Sequence, residues 1–250
     1  MKHKERIEIA KKISDKLVKE YNNKVSMVGI FGSTARNEDV ETSDLELICS
    51  IKGDFKSKDV AFIHSGIFIH VWIASEKKII EEATTVNFNW PMEAGNYKAF
   101  KVIYDDKNFA KKISEKIKGI HEKEFIEAIE YNLPIIYEEL NAIKSAIKRK
   151  GLNNRNLNAL AKGLVFHTVL HLSLLNKTPL FGSNYRVFIE AFNLKKLPPN
   201  YEKDARKILE FKTKKELVKL SEKFVYDFVN FLRKNGIKFK EIEDIDGVKF

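Results

Sequence analysis

The sequence predicts an α+β protein of two domains: residues 1–120, where short strands alternate with helices, and residues 121–250, where helices stand alone. Two observations carry this. Apolar runs of strand length, at Met27–Phe31, Leu45–Ser50 and Ile67–Ile73, fall only in the first half. From Ile120 onward apolar residues recur at three-to-four spacing, the period of a helix with one buried face. A length of 250 residues accommodates two ordinary domains, and a 44% apolar fraction with 18 Phe supplies their cores.

Taken in order, Ala10, Ile13, Leu17 and Tyr21 mark a first helix, broken by Asn22-Asn23. The run Met27–Phe31 ends at Gly32-Ser33, and Leu45–Ser50 forms a second strand. After the turn His64-Ser65-Gly66, Ile67, Ile69, Val71 and Ile73 alternate with Phe68, His70 and Trp72, a pattern expected of a strand buried on both faces. Beyond Ile120, Phe125, Ile129, Leu133, Ile136, Leu140, Ile143 and Ile147 form a stripe with Pro134 breaking or kinking it and Gly151 stopping it. Leu157–Leu175 is apolar nearly all round, so it is expected at the centre of its domain. Pro198-Pro199 marks a further boundary, Lys214–Asn235 reads as a last helix ended by Gly236, and the tail to Phe250 as a weak strand.

Composition narrows the setting. The single cysteine, Cys49, precludes an intrachain disulfide and suits a reducing compartment. Met1–Lys12 is charged, unlike a secretory leader, and no run reaches the roughly 18 apolar residues of a membrane span. A soluble, cytoplasmic protein without a membrane partner is expected. The net charge of +10 divides as +3 in residues 1–120 and +7 in residues 121–250. A basic second half suits polyphosphate or nucleic acid, although a lysine-rich solvated surface is the plainer account of it.

The chemistry concentrates in Gly29–Cys49. A strand runs into Gly32, which allows a tight turn, and the following residues can open a helix whose free N–H groups attract anions. Ser33 adds a hydroxyl and Arg36 a fixed cation, both suited to phosphate. Asp44 and Glu46 lie two apart on the next expected strand, so both carboxylates point to one face while Leu45 and Leu47 point inward. Two carboxylates beside a phosphate loop form a ligand set for Mg²⁺. Either half alone is more often an ordinary turn or a solvated strand face.

Phe31-Gly32-Ser33 followed by Ser43-Asp44-Leu45-Glu46 resembles the signature of the DNA polymerase beta nucleotidyltransferase superfamily. Further stretches, Asn89-Trp90-Pro91-Met92, Ile103-Tyr104-Asp105 and Leu197-Pro198-Pro199-Asn200-Tyr201, resemble the kanamycin nucleotidyltransferase family in order and length. The resemblance implies an N-terminal mixed sheet with flanking helices, a C-terminal helical bundle, and a homodimer with active sites between subunits. It implies Asp44 and Glu46 as metal ligands for Mg²⁺ or Mn²⁺, and Gly32, Ser33, Thr34 and Arg36 as nucleotide contacts. The family's general base falls on Glu139 or, with a one-residue shift, Glu138. Glu139 flanks the apolar stripe, whereas Glu138 points away from it. A family lysine one turn later has no match, and Lys144 stands nearby; His70 occupies the place of a third metal carboxylate. His167 and His171, four apart on an apolar helix, read as packed core residues, although that spacing can hold a metal.

The activity implied is transfer of a nucleoside monophosphate from a nucleoside triphosphate, ATP first among them, to a hydroxyl of a small, possibly aminoglycoside-like acceptor, with pyrophosphate released. The alternatives are transfer to an RNA end or a protein hydroxyl, suited to the basic second half, and a degenerate nucleotide-binding module, suited to His70. Nucleic acid is a possible partner, not the favoured one.

Overall fold

The computed structural model describes residues 1–148, 154–181 and 186–238. Gly151 and most of the tail expected as a strand, residues 239–250, lie outside the described residues, as does the side chain of Ile147. The chain forms two compact units, Met1–His121 with Pro179–Ser183, and Glu122–Thr178 with Asn184–Phe250.

The first unit is built on a five-stranded mixed sheet. Its strands are β1 (Val25–Ile30), β2 (Leu45–Ile51), β3 (Lys58–His64), β4 (Ile67–Ser75) and β5 (Lys101–Asp105), in the order β3-β4-β2-β1-β5. β2 and β4 pair in parallel and every other pair is antiparallel. Helix α1 (His3–Tyr21) covers one face, where Ala10 and Leu17 pack on Leu45, Leu47, Ile69 and Val71. On the other face α3 (Glu76–Thr84), α4 (Trp90–Lys98) and α5 (Phe109–Lys118) bring Ile79, Ala83, Tyr97 and Ile113 against Met27 and Ile48. Alternation along β2 therefore divides its apolar residues between two cores.

Three expectations need correcting. Asp44 precedes β2, which starts at Leu45, so only Glu46 of the carboxylate pair sits on the strand. β4 is not buried on both faces: Phe68 is 43% exposed and His70 and Trp72 are half-buried, because they share the sheet face of Glu46, which is open at this end. A helix that meets the length and composition of a membrane span does exist among the described residues, at Arg155–Leu175. In this structure 61% of its apolar window is buried, the arrangement of a central core helix.

The second unit is helical. α6 (Glu122–Asn132) and α7 (Pro134–Lys148) are separate helices, since Pro134 has no N–H to continue α6 and suits the first turn of α7 instead. α8 (Asn154–Leu175) packs against both, and against α9 (Arg186–Ala191), α10 (Tyr201–Leu209) and α11 (Lys214–Lys234). Leu157, Leu164, Val165, Val169 and Leu172 are fully buried along it. Thr168 is also buried, its hydroxyl 2.7 Å from that of Tyr201, so the polar group is satisfied where water is excluded.

Candidate active site

β1 ends in a tight turn. Gly32 has φ +65°, a left-handed conformation that strains any residue with a Cβ, and a Cβ there would also collide with the Glu46 carboxylate. The conformation selects glycine, and without a Cβ to displace that carboxylate the start of the short helix α2 (Gly32–Ala35) lies directly against Glu46. The Phe31 amide donates to the Glu46 carbonyl at 2.9 Å, fixing that approach from the backbone.

Glu46 has an accessible side chain, yet the surrounding protein desolvates it. That desolvation raises its pKa, the negative charge of Asp44 raises it further, and the charges of His70 and Arg36 partly oppose the shift. Asp44 and Glu46 thus form an electrostatically coupled pair, and a divalent cation would relieve their repulsion. Their oxygens are the hard donors that Mg²⁺ selects, so the pair fits such an ion. No cluster of three or more His, Cys, Asp or Glu able to hold a metal occurs among the described residues. Two protein carboxylates leave the remaining positions to water and phosphate oxygens, the usual shell for Mg²⁺ at phosphate sites.

The other expected residues around this turn are placed as follows. Ser33 is half-buried; Thr34 is fully buried, and its hydroxyl lies 3.5 Å from the Asp44 carbonyl, facing the protein interior. Arg36 donates to Glu38 at 2.9 Å and lies 4.7 Å from the ring centre of Phe181. His70 stands beside Glu46 in register, with Nε2 at 2.8 Å from Asp59 Oδ1 and its ring stacked with Phe68. That contact with Asp59 engages one of its two ring nitrogens.

The loop leading to Asp44 is held from beneath. Arg6, on α1, has no exposed surface; it donates to Asp39 at 2.9 Å and to the carbonyls of Met1, Val40, Glu41 and Ser43. His3 Nδ1 lies 2.6 Å from the other Asp39 oxygen. Burial works to raise the Asp39 pKa, but the His3 hydrogen bond, its own backbone N–H and the charges of His3 and Arg6 outweigh it and hold the group below its ordinary value.

In the helical unit Glu139 and Glu138 occupy different environments. Glu138 is exposed; Glu139 is half-buried, with its carboxylate against Gly163 of α8 and Oε1 at 3.0 Å from His167 Nδ1. Desolvation and then the charge of Glu138 raise the Glu139 pKa. Lys144 pairs with Glu222 of α11 at 2.8 Å. His171 is fully buried, hydrogen-bonded through Nδ1 to the His167 carbonyl, and burial pushes it down to about 4, so it is a neutral core residue.

Residues 107–238, more than half of the chain, match the KNTase C-terminal domain. The chain belongs to the KNTase C-terminal domain family. It is also 26% identical over 144 residues to an aminoglycoside nucleotidyltransferase (4') of Bacillus sp, and to the same degree to one of Staphylococcus aureus. These matches cover 56% of this chain and 54% of each relative, so the chain spans about half the length of the curated relatives it matches. A solved structure, the nucleotidyltransferase-like protein of Exiguobacterium sibiricum 255-15, superposes with a TM-score of 0.55 over 90% of this chain and 74% of that one, at 10% identity; this likeness shows the fold alone.

The KNTase C-terminal domain match takes in Glu138, Glu139, Lys144 and His167, and leaves the Gly32 turn, Asp44, Glu46 and His70 outside its span. Sequence reasoning passed over Arg6, Asp59 and Phe181, and it read His167 as a packed core residue rather than a partner of Glu139. Arg6 and Asp59 carried no local signal, because each acquires its role from a partner more than ten residues away. For His167 the spacing was visible, but it pointed to His171 and not to Glu139.

Proposed function

We propose that this protein is a metal-dependent nucleotidyltransferase that moves a nucleoside monophosphate from a nucleoside triphosphate, ATP first among them, to a hydroxyl of a small acceptor. The observation that carries this reading is the approach of the Gly32 turn to Glu46, a tight glycine turn set directly against a carboxylate whose pKa the charge of Asp44 helps to raise. Asp44 and Glu46 would hold the divalent ion, Mg²⁺ or Mn²⁺, which when bound supplies charge withdrawal from the phosphate oxygens. Ser33 and the amides of the turn bind the triphosphate, and Arg36, held by Glu38 and Phe181, contributes a fixed positive charge beside Glu46. Glu139 accepts the proton of the attacking hydroxyl. Desolvation at its half-buried position raises its basicity, the direction that suits that task. Lys144, ion-paired with Glu222, is the weakest of the expected nucleotide contacts.

The relatives are aminoglycoside nucleotidyltransferases, so aminoglycosides bearing a 4'-hydroxyl are the first acceptors to test. The experiment supplies α-labelled ATP with Mg²⁺ or Mn²⁺ and panels of aminoglycosides, tRNA and protein. Label on an aminoglycoside is expected, together with loss of transfer in Asp44→Asn and Glu46→Gln by 10²-fold or more, on the order seen for groups that stabilise charge in a transition state. Either variant retaining above roughly a tenth of wild-type turnover would remove the metal assignment. Label on tRNA or protein would replace the acceptor, and triphosphate binding without transfer to any acceptor would make the chain a binding module.

A further inference from the structure

Glu139 and His167 come from different helices, α7 and α8, and meet where α8 has no side chain to separate them. A Cβ on Gly163 would lie 3.1 Å from both carboxylate oxygens of Glu139, tighter than an ordinary contact, so the glycine eases the carboxylate's close approach to α8, one turn before His167. Nδ1 of His167 and Oε1 of Glu139 then approach to 3.0 Å, an ion-pair distance with the ring not yet aligned for a straight hydrogen bond. Both side chains are largely enclosed, at 20% and 18% exposure, and in such a place a donor to the carboxylate matters more than on the surface. Gly163 also lines an open cavity of about 690 Å³ with Lys162, Phe166, Phe188, Phe192 and Arg206, so a molecule of some size can reach the neighbourhood of the pair.

We propose that His167 is the positioning residue of Glu139: its ring N–H donates to the carboxylate, fixes its orientation over Gly163 and favours the ionised form that can take a proton. This rests on the nucleotidyl-transfer reading with Glu139 as base. Other charges on the packed elements have partners elsewhere or oppose the pair. Glu138 adjoins Glu139 on α7 and opposes its ionisation, and His171 on α8 is neutral. Lys144 is paired with Glu222 of α11, Arg186 with Glu190 on α9, and Arg206 with Glu202 on α10. On α6, Glu122 pairs with Lys177, Lys123 with Glu127, and Glu130 accepts the Lys238 amide; Lys162 faces the cavity. Burial lowers the His167 pKa against the charge of Glu138, so near neutral pH the ring acts as a neutral N–H donor.

The test compares His167→Leu, which removes the donor, with His167→Asn, which keeps an N–H near the same place. The first readout is the carboxyl titration of Glu139 by ¹³C NMR, assigned by its disappearance in Glu139→Gln. Losing a donor to the carboxylate disfavours the charged form, so the midpoint should move up in His167→Leu and return toward wild type in His167→Asn. The second is the pH profile of pyrophosphate release with ATP and a 4'-hydroxyl aminoglycoside. His167→Leu should lose kcat on the order of 10²-fold with its acid limb moved to higher pH, leave KM for ATP unchanged, and be rescued in part by His167→Asn. An unmoved titration in His167→Leu overturns the proposal, and so does an Asn variant that titrates like Leu, which would assign the effect to packing. The titration decides the pairing whether or not an acceptor turns over. A failed assay beside a shifted titration therefore counts against the transfer reading and not against the pair.

Discussion

Arg6 illustrates how a residue remote from the proposed site can hold the loop that leads to it. Its guanidinium is wholly buried, and its N–H groups reach Asp39 and four backbone carbonyls, three of them in the loop that delivers Asp44. A planar five-donor fork can satisfy this set, whereas a lysine cannot. Arg6→Leu would leave Asp39 buried with His3 as its remaining side-chain partner, so we expect a loss of about 3–5 kcal/mol, the cost of breaking a buried ion pair from one side. Urea denaturation at pH 7 measures it, and a loss below about 1 kcal/mol would show that the loop is held by other means. Because the Asp39 pKa is depressed in the folded state, the stability it lends is present above the unfolded carboxylate range and is lost as pH falls through the folded value. The wild-type advantage over Arg6→Leu should therefore shrink in acid. Arg6 also shows the limit of local reading: Gly32, Ser33, Asp44 and Glu46 stand within fifteen residues, so the proposed site could be picked out in sequence, but an arginine in an amphipathic helix looks like surface until its partners at Asp39–Ser43 are placed.

At the scale of elements, legibility followed burial. β1, β2 and β4 are rich in apolar residues because both or one of their faces meet a core, and the sequence predicted all three. β3, an edge strand, carries Lys58, Asp59 and His64 and is exposed along nearly its whole length, so no apolar alternation announces it; β5 offers only Val102–Tyr104 between polar ends. The helix α4 adds a contact that only the fold shows. Gly95 lies against the backbone of segment 179–181, where a Cβ would overlap the Leu180 carbonyl oxygen, while the Leu180 amide donates to the Pro91 carbonyl at 2.8 Å. That segment carries Phe181 to Arg36. Gly95→Ala should therefore displace it, with a cost of about 1–3 kcal/mol as in overpacked cores, and weaken triphosphate binding through Arg36. Calorimetric ATP affinity equal to wild type would detach the segment from the site. A second contact, between α3 and α4, is sensitive to pH. Burial, and then the charge of Glu93, lifts Glu82 to about 6 from 4.5. Between those values the folded protein holds a proton that the unfolded chain releases, so this group favours folding in acid and its contribution is lost as pH rises through 6. Glu82→Gln should stabilise the protein at pH 8 by up to about 2 kcal/mol and change little at pH 4. Equal effects at both pH values would refute the assignment.

For the whole molecule, the homodimer that the resemblance implies needs a contact surface. Two apolar segments, Leu157–Leu175 and Trp90-Pro91-Met92, do not provide it. Each is used inside its own unit: α8 is the centre of the helical unit, and Trp90 is 1% exposed with its indole N–H donating to the Ala83 carbonyl. Exposed apolar side chains are found instead on the β3–β4 hairpin, where Phe62, Ile63 and Phe68 are 41%, 67% and 43% exposed. An edge strand with such a surface is a liability that proteins commonly cover. The kanamycin nucleotidyltransferase resemblance implies a homodimer with sites completed by both subunits, which places Asp44 and Glu139 of one site on different chains. Light scattering at micromolar concentration should then give twice the 29.0 kDa chain mass. A functional test is sharper than the mass. Asp44→Asn and Glu139→Gln chains are each expected to be inactive, since each lacks one component of every site. Mixed and allowed to exchange, they form heterodimers in which one site receives both wild-type residues, and about a quarter of wild-type activity should return, from half the dimers being mixed and one of two sites in each being intact. No recovery after verified exchange would mean that each chain completes its own site.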